Sequence, residues 1–139
     1  MSERILLSTD HTPKVLLVED DPSMQMIYAY FLGKLGFQTE QVALGQRALY
    51  CVAQGHYHAM ILDLGLPDIK GESVIECIRA NEKNTAHHLP ILVTTAHGDA
   101  GILTACQKKG ADAAFMKPVS LETFQQAFHR MDLTGGQAR

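Results

Sequence analysis

The chain has no tryptophan, three cysteines and an aromatic content of 6%. Without an indole, the usual tryptophan-fluorescence readout of conformation is lost. Cys51, Cys77 and Cys106 lie far apart and form no CxxC pair, which argues against a zinc site or a disulfide framework. Reduced, half-buried thiols packed against a sheet are expected instead, as suits a cytoplasmic protein. No apolar run approaches the roughly 20 residues of a membrane span, and Met1 to Asp10 lacks the apolar core of a signal peptide. An excess of basic charge is missing too: 12 Lys and Arg stand against 15 Asp and Glu, for a net charge of -3. No broad cationic surface follows, so direct contact with nucleic acid or membrane is not expected.

What is present is a core. At 139 residues with 46% hydrophobic content the chain fits one domain. Short apolar runs alternate with stretches of helical period, the pattern of a parallel sheet covered by helices on both faces. The strands read as Lys14 to Val18, Phe37 to Val42, Ala59 to Leu62, Ile91 to Thr94 and Ala114 to Met116. The helices read as Ser23 to Leu35, Gln46 to Gln54, Glu72 to Arg79, Ala100 to Lys109 and Leu121 to Met131. Gly36, Gly55 and Gly110 stand where C-caps belong, and Ser120 where an N-cap does. In the first helix Ile27, Phe31 and Leu35 repeat with the period of a sheet-facing stripe. Met24, Met26, Tyr28 and Tyr30 then crowd the remaining surface, where flexible methionines suit an adaptable interface. Residues 1–13 read as a linker or leader, 14–131 as the domain and 132–139 as a flexible tail. The polar stretch Asn81 to His88 reads as a solvated loop.

Glu19 and Asp20 follow the first strand, Asp63 follows the third, Thr95 the fourth and Lys117 the fifth. Open parallel sheets bind ligands beyond the carboxyl ends of their strands, so all five residues belong to one candidate site. Three crowded carboxylates repel one another and need a cation or protonation to persist near neutral pH. Oxygen ligands select Mg²⁺, or Mn²⁺, over softer metals, and Mg²⁺ keeps positions that a phosphoryl oxygen can take. With a lysine opposite and a carboxylate as nucleophile, this is a sufficient minimal set for phosphoryl transfer.

In the segments KVLLVEDDP, MILDLGLPDIKG, PILVTTA and GADAAFMKP the sequence resembles the response-regulator receiver family, from Lys14 to about Met131. The resemblance implies a flavodoxin-like doubly wound α/β fold, a five-stranded parallel sheet in the order 2-1-3-4-5. It implies Asp63 as phosphoacceptor, Asp20 as a direct metal ligand, Glu19 as a ligand acting largely through water, and the Gly65 carbonyl facing the metal. Thr95 and Lys117 correspond to phosphoryl ligands. The Lys117-Pro118 bond corresponds to a cis peptide in the family, against the trans default for any proline. The implied partner is a histidine kinase or a histidine phosphotransfer domain, with the chain itself a monomer or weak dimer.

Four features depart from the family or stand outside its motifs. Many receivers carry Tyr or Phe where this chain has Ala114; Phe115, its neighbour, points to the opposite face by strand alternation and reads as core. Gly65 offers no side chain to shield an acyl phosphate, so a labile phosphoaspartate is expected. His97 either positions water at the site or is a half-exposed loop histidine, the second being favoured. His56, His58, His87 and His88 fall in polar connections without a third ligand at plausible spacing. The missing switch aromatic and the MKPVSLETF ending are similar to receivers within hybrid sensor histidine kinases. A stand-alone single-domain regulator and a phosphorylation-independent pseudo-receiver are the alternatives. A phosphohydrolase of the haloacid-dehalogenase type would expect a carboxylate at position 65, and a flavin protein would not place Glu19, Asp20 and Asp21 after its first strand.

Overall fold

The computed structural model describes residues 12–97 and 100–133. Strands and helices alternate along the chain: β1 (Lys14–Val18), α1 (Pro22–Lys34), β2 (Gln38–Val42), α2 (Gly45–Gln54), β3 (Ala59–Asp63), α3 (Gly71–Glu82), β4 (Ile91–Thr95), α4 (Ala100–Lys108), β5 (Ala113–Met116) and α5 (Leu121–Arg130). All neighbouring strands pair in parallel, in the order β2-β1-β3-β4-β5. This is the doubly wound architecture that the sequence leads one to expect.

The central strands β1, β3 and β4 are almost entirely buried because helices cover both their faces, which is why they read as unbroken apolar runs. β2, at the edge, carries the polar sequence QTEQV and is only partly covered. Alternation along the strands divides the core in two. Leu16, Val18, Met60, Leu62, Ile91 and Val93 pack with residues of α2 and α3. Val15, Leu17, Ala59, Ile61 and Leu92 pack with Tyr28 and Leu32 of α1 and with Phe124, Ala127 and Phe128 of α5. Ala114 joins the first cluster and Phe115 the second, so the two do point to opposite faces, Phe115 being partly buried.

Helix ends follow local chemistry. The Asp21 carboxylate accepts a hydrogen bond from Ser23 N at 2.9 Å, and Pro22 occupies the first turn, where no N–H is needed. Ser120 caps α5 by accepting from Thr123 N at 3.1 Å. Gly36 (φ 93°) and Gly110 (φ 123°) take the left-handed conformation just past α1 and α4. Gly55, by contrast, is extended at φ −135° and ends α2 without that turn.

Several expectations need correction. Boundaries agree with the sequence reading or differ by one residue at every end but one, where α3 runs three residues further, to Glu82, so Asn81 and Glu82 are helical. In α1 the sheet-facing residues are Tyr28 and Leu32, 1% and 0% exposed, whereas Ile27 is 41% exposed. Phe31 and Leu35 lie at the margin, partly buried. α1 is apolar on several sides, so its period fits more than one facing stripe, and tertiary contacts choose between them. Cys51 and Cys106 are buried, but Cys77 lies on the exposed side of α3. The leader through residue 11 and the tail from 134 lie outside the described residues.

Gly71 opens α3 against the turn that follows β3. A Cβ built there would meet Leu64 Cδ2 at 2.6 Å and Leu64 Cα at 2.9 Å, the latter a backbone atom that cannot swing aside. Gly71→Ala is therefore expected to destabilise the domain by about 1–3 kcal/mol through overpacking. Urea denaturation followed by circular dichroism checks this, with the midpoint falling and the slope unchanged.

Candidate functional site

Strand phase builds the site. Glu19 continues the alternation of Val15 and Leu17, Asp63 that of Ala59 and Ile61, and Lys117 that of Ala113 and Phe115. All three therefore emerge at the carboxyl edge on the side of α1 and α5. Thr95 follows Ile91 and Val93 and belongs to the other face. Ladder bonds hold the edge in register: Leu64 N donates to Thr94 O at 3.0 Å, and Lys117 N to Thr95 O at 2.8 Å.

Glu19 and Asp63 are 1% and 4% exposed, and Asp20 is exposed beside them. Carboxylate oxygens of the three lie within 4.8 Å of one another. The Lys117 ammonium stands 2.7 Å from Glu19 Oε1 and 3.3 Å from Asp63 Oδ2. Burial pushes the Glu19 carboxyl above its ordinary range; the contacts to Lys117 and the Asp21 N–H oppose the rise, and the Asp63 charge adds to it. Burial would lower the lysine, but Glu19 and Asp63 outweigh it and hold Lys117 above its ordinary value, charged.

Glu19 Oε2 accepts from Asp21 N at 3.1 Å, while the buried Oε1 is paired with the Lys117 ammonium at 2.7 Å. Three carboxylates in one all-oxygen cluster, with the Lys117 ammonium beside two of them, fit a hard divalent cation. Gly65 N donates to Asp63 Oδ1 at 3.1 Å, and a Cβ at Gly65 would sit 3.7 Å from that oxygen. A Cβ there would make only ordinary contact with the carboxylate, and the glycine leaves that side of Asp63 without a covering side chain. The Thr95 hydroxyl is engaged with its own loop, accepting from His97 N at 3.2 Å and donating to His97 O at 3.3 Å. His97 itself is exposed. The Lys117-Pro118 peptide is cis.

Sequence reading missed the residues that hold this edge in place. Asp68 accepts from Gly45 N and Gln46 N, both at 2.9 Å, so a carboxylate from the loop after β3 caps α2. The loop is pressed close here, a Cβ at Gly45 falling 2.5 Å from Ile69 Cγ1. Position 44, where α2 should cap itself, holds Leu44, and a helix start without its own acceptor is the signal that a partner lies elsewhere. Gln25 Nε2 donates to the Glu19 carbonyl, tying α1 to the acidic turn.

Three further histidines lie at the opposite edge. His56, His87 and His88 line a cleft of about 580 Å³ beside Leu49, Tyr57 and Leu89. His88 Nε2 lies 2.9 Å from Asp112 Oδ1, within a network in which Arg79 pairs with Glu82 and Asp112. Among the described residues, the one cluster of three or more potential metal ligands is that of Glu19, Asp20 and Asp63. No described helix is long and apolar enough to cross a membrane.

Comparison with known proteins matches residues 15–129 to the response regulator receiver domain, and the chain belongs to that family, whose members serve two-component signalling. It is 35% identical over 109 residues to the transcriptional regulatory protein TcrA of Mycobacterium tuberculosis, covering 78% of this chain and 42% of TcrA. It is 27% identical over 119 residues to the chemotaxis protein CheY-3 of Vibrio cholerae, covering 85% of this chain and 90% of that one. Among solved structures, the receiver domain of the sensor histidine kinase PA1611 from Pseudomonas aeruginosa, with magnesium coordinated in its active-site cleft, superposes with a TM-score of 0.75. That pair is 30% identical, over 85% of this chain and 95% of the other. The chain thus spans less than half of TcrA and nearly all of CheY-3, and its relatives include both regulators and sensor kinases.

The hydrogen bond from Gln46, joined by that from Gly45, holds the Asp68 carboxyl below its ordinary range against desolvation. A depressed folded-state value adds stability that is complete above the ordinary aspartate range and is lost as pH falls through the folded value. Asp68→Ala is therefore expected to lower the melting temperature at pH 7, with the gap from wild type narrowing below the ordinary aspartate range. A pH series of thermal melts reads this directly; a gap independent of pH would mean that the cap does not act through its charge.

Proposed function

We propose that the chain takes a phosphoryl group from a phosphohistidine of a histidine kinase or histidine phosphotransfer domain onto Asp63. The observation that carries this reading is a buried aspartate at the end of β3, 3.3 Å from a charged lysine and within one carboxylate cluster with Glu19 and Asp20. An Asp63 oxygen attacks phosphorus as the phosphorus–nitrogen bond breaks, the bonding pair stays on the imidazole nitrogen, and an acyl phosphate forms. Mg²⁺, with Mn²⁺ as substitute, would be held by Glu19, Asp20, Asp63 and the Gly65 carbonyl, and it supplies neutralisation of the phosphoryl charge.

The chain's own residues do the rest. Lys117, held charged, leaves its carboxylate partners in part to meet the phosphoryl oxygens. Thr95 exchanges its bonds to His97 for one to the phosphoryl group, which moves the loop after β4. Gly65 leaves the acyl phosphate open to water or to a second histidine, so the phosphorylated state is short-lived or handed on. With Ala114 in place of a switch aromatic, transfer to a further histidine suits this chain better than aromatic-coupled output, as in a receiver of a cytoplasmic phosphorelay within a hybrid sensor kinase. A stand-alone regulator is the second reading, favoured by the likeness to CheY-3 over most of that protein's length.

Intact mass after incubation with phosphoramidate, with and without Mg²⁺, tests the reading. Wild type is expected to gain one phosphoryl group only with Mg²⁺, and Asp63→Asn none. An equal adduct on the variant would move the acceptor elsewhere. No adduct at millimolar Mg²⁺ would favour a receiver fold that works without phosphorylation.

A further inference from the structure

Lys117 lies in a segment with few bonds of its own. Its N–H donates to Thr95 O at 2.8 Å, Pro118 has no N–H to give, and the next backbone donor is Val119. That N–H is buried and reaches across to the hydroxyl of Tyr28, 3.1 Å away and 91 positions earlier in the sequence. A buried backbone N–H needs an acceptor, and here a side chain on α1 supplies it.

Tyr28 is itself fixed. It is 1% exposed, and its ring meets Phe124 of α5 edge to face at 5.2 Å and 89°. The lysine is thus pinned on both sides, by the Thr95 carbonyl before it and by the tyrosine hydroxyl two residues after it. An aliphatic residue at position 28 would fill the same apolar space and leave the Val119 N–H without a partner.

We propose that Tyr28 is a positioning residue for Lys117, fixing through the Val119 N–H how the ammonium meets the carboxylates and the incoming phosphoryl group. The inference rests on the reading of Lys117 as a phosphoryl ligand. It also makes the α1–α5 contact a determinant of transfer, since the ring that carries the hydroxyl is set by Phe124.

Tyr28→Phe removes the hydroxyl and keeps the ring. Three quantities are expected to part company in it. Amide exchange at Val119 accelerates. Mg²⁺ affinity stays within about twofold of wild type, because no metal ligand touches Val119. The rate of phosphoryl adduct formation from phosphoramidate falls about 3–10-fold, as for one lost hydrogen bond. In a Lys117→Ala background the same substitution should have no further effect on the residual rate, which a merely structural loss would still lower. An unchanged rate beside accelerated Val119 exchange overturns the proposal, and so does an equal loss of Mg²⁺ affinity and rate. Should wild type form no adduct, the phosphoacceptor reading fails. The tyrosine is then judged on the Lys117 Cε resonance, whose shift in Tyr28→Phe supports positioning and whose constancy refutes it.

Discussion

Carboxylates crowded at the end of a buried sheet repel one another, and the ways that repulsion is relieved organise much of this molecule. Glu19 and Asp63 are nearly sealed from water, Asp20 stands beside them, and among the described residues one ammonium, that of Lys117, pairs with the first two. Burial raises the cost of each unpaired charge. The imbalance appears locally in Glu19, whose carboxyl is pushed upward by burial despite the Lys117 ammonium beside it. Such an edge is poised for a further cation, and a bound cation then favours an incoming group rich in negative oxygen. On the proposed reading, attraction for metal and for phosphoryl group would follow from one electrostatic debt rather than from separate devices.

Holding like charges together requires a scaffold that does not yield. Strand alternation sends Glu19, Asp63 and Lys117 to the same side of the edge, and the apolar runs behind them are locked between two helical layers. The loops that carry the chemistry are tied by bonds from a distance. Asp68 fastens the loop after β3 to the start of α2, Gln25 fastens the acidic turn to α1, and Tyr28 fastens the segment after Lys117. Thr95 differs, its hydroxyl bonded, among the described residues, to His97 of its own loop, so it is a group that can rearrange at small cost.

The sheet was legible because buried parallel strands must be apolar runs, and the site edge because it is the set of strand ends. The five residues at those ends could be named from order alone. What could not be read is what depends on tertiary contact. α1 carries apolar residues around much of its circumference, so periodicity favoured Ile27 where the packed helix buries Tyr28 and Leu32. Tyr28 read as one more crowded apolar residue because its acceptor role exists only once Val119 is brought alongside. The Asp68 cap left a trace, in Leu44 at a helix start that cannot cap itself, but pairing the two needs the fold. Cys77 read as half-buried because α3 carries apolar residues on either side of it in sequence, Val74 and Ile75 before and Ile78 after.

The central claim, that the acidic edge is built for a hard cation, is tested most directly by the melting temperature as Mg²⁺ is raised to millimolar levels. A ligand that binds only the folded state stabilises it by mass action. Wild type should therefore melt progressively higher, along a saturating curve, while Asp20→Asn should show a much weaker response. A melting temperature unmoved by millimolar Mg²⁺ in wild type, or raised equally in Asp20→Asn, would contradict the account.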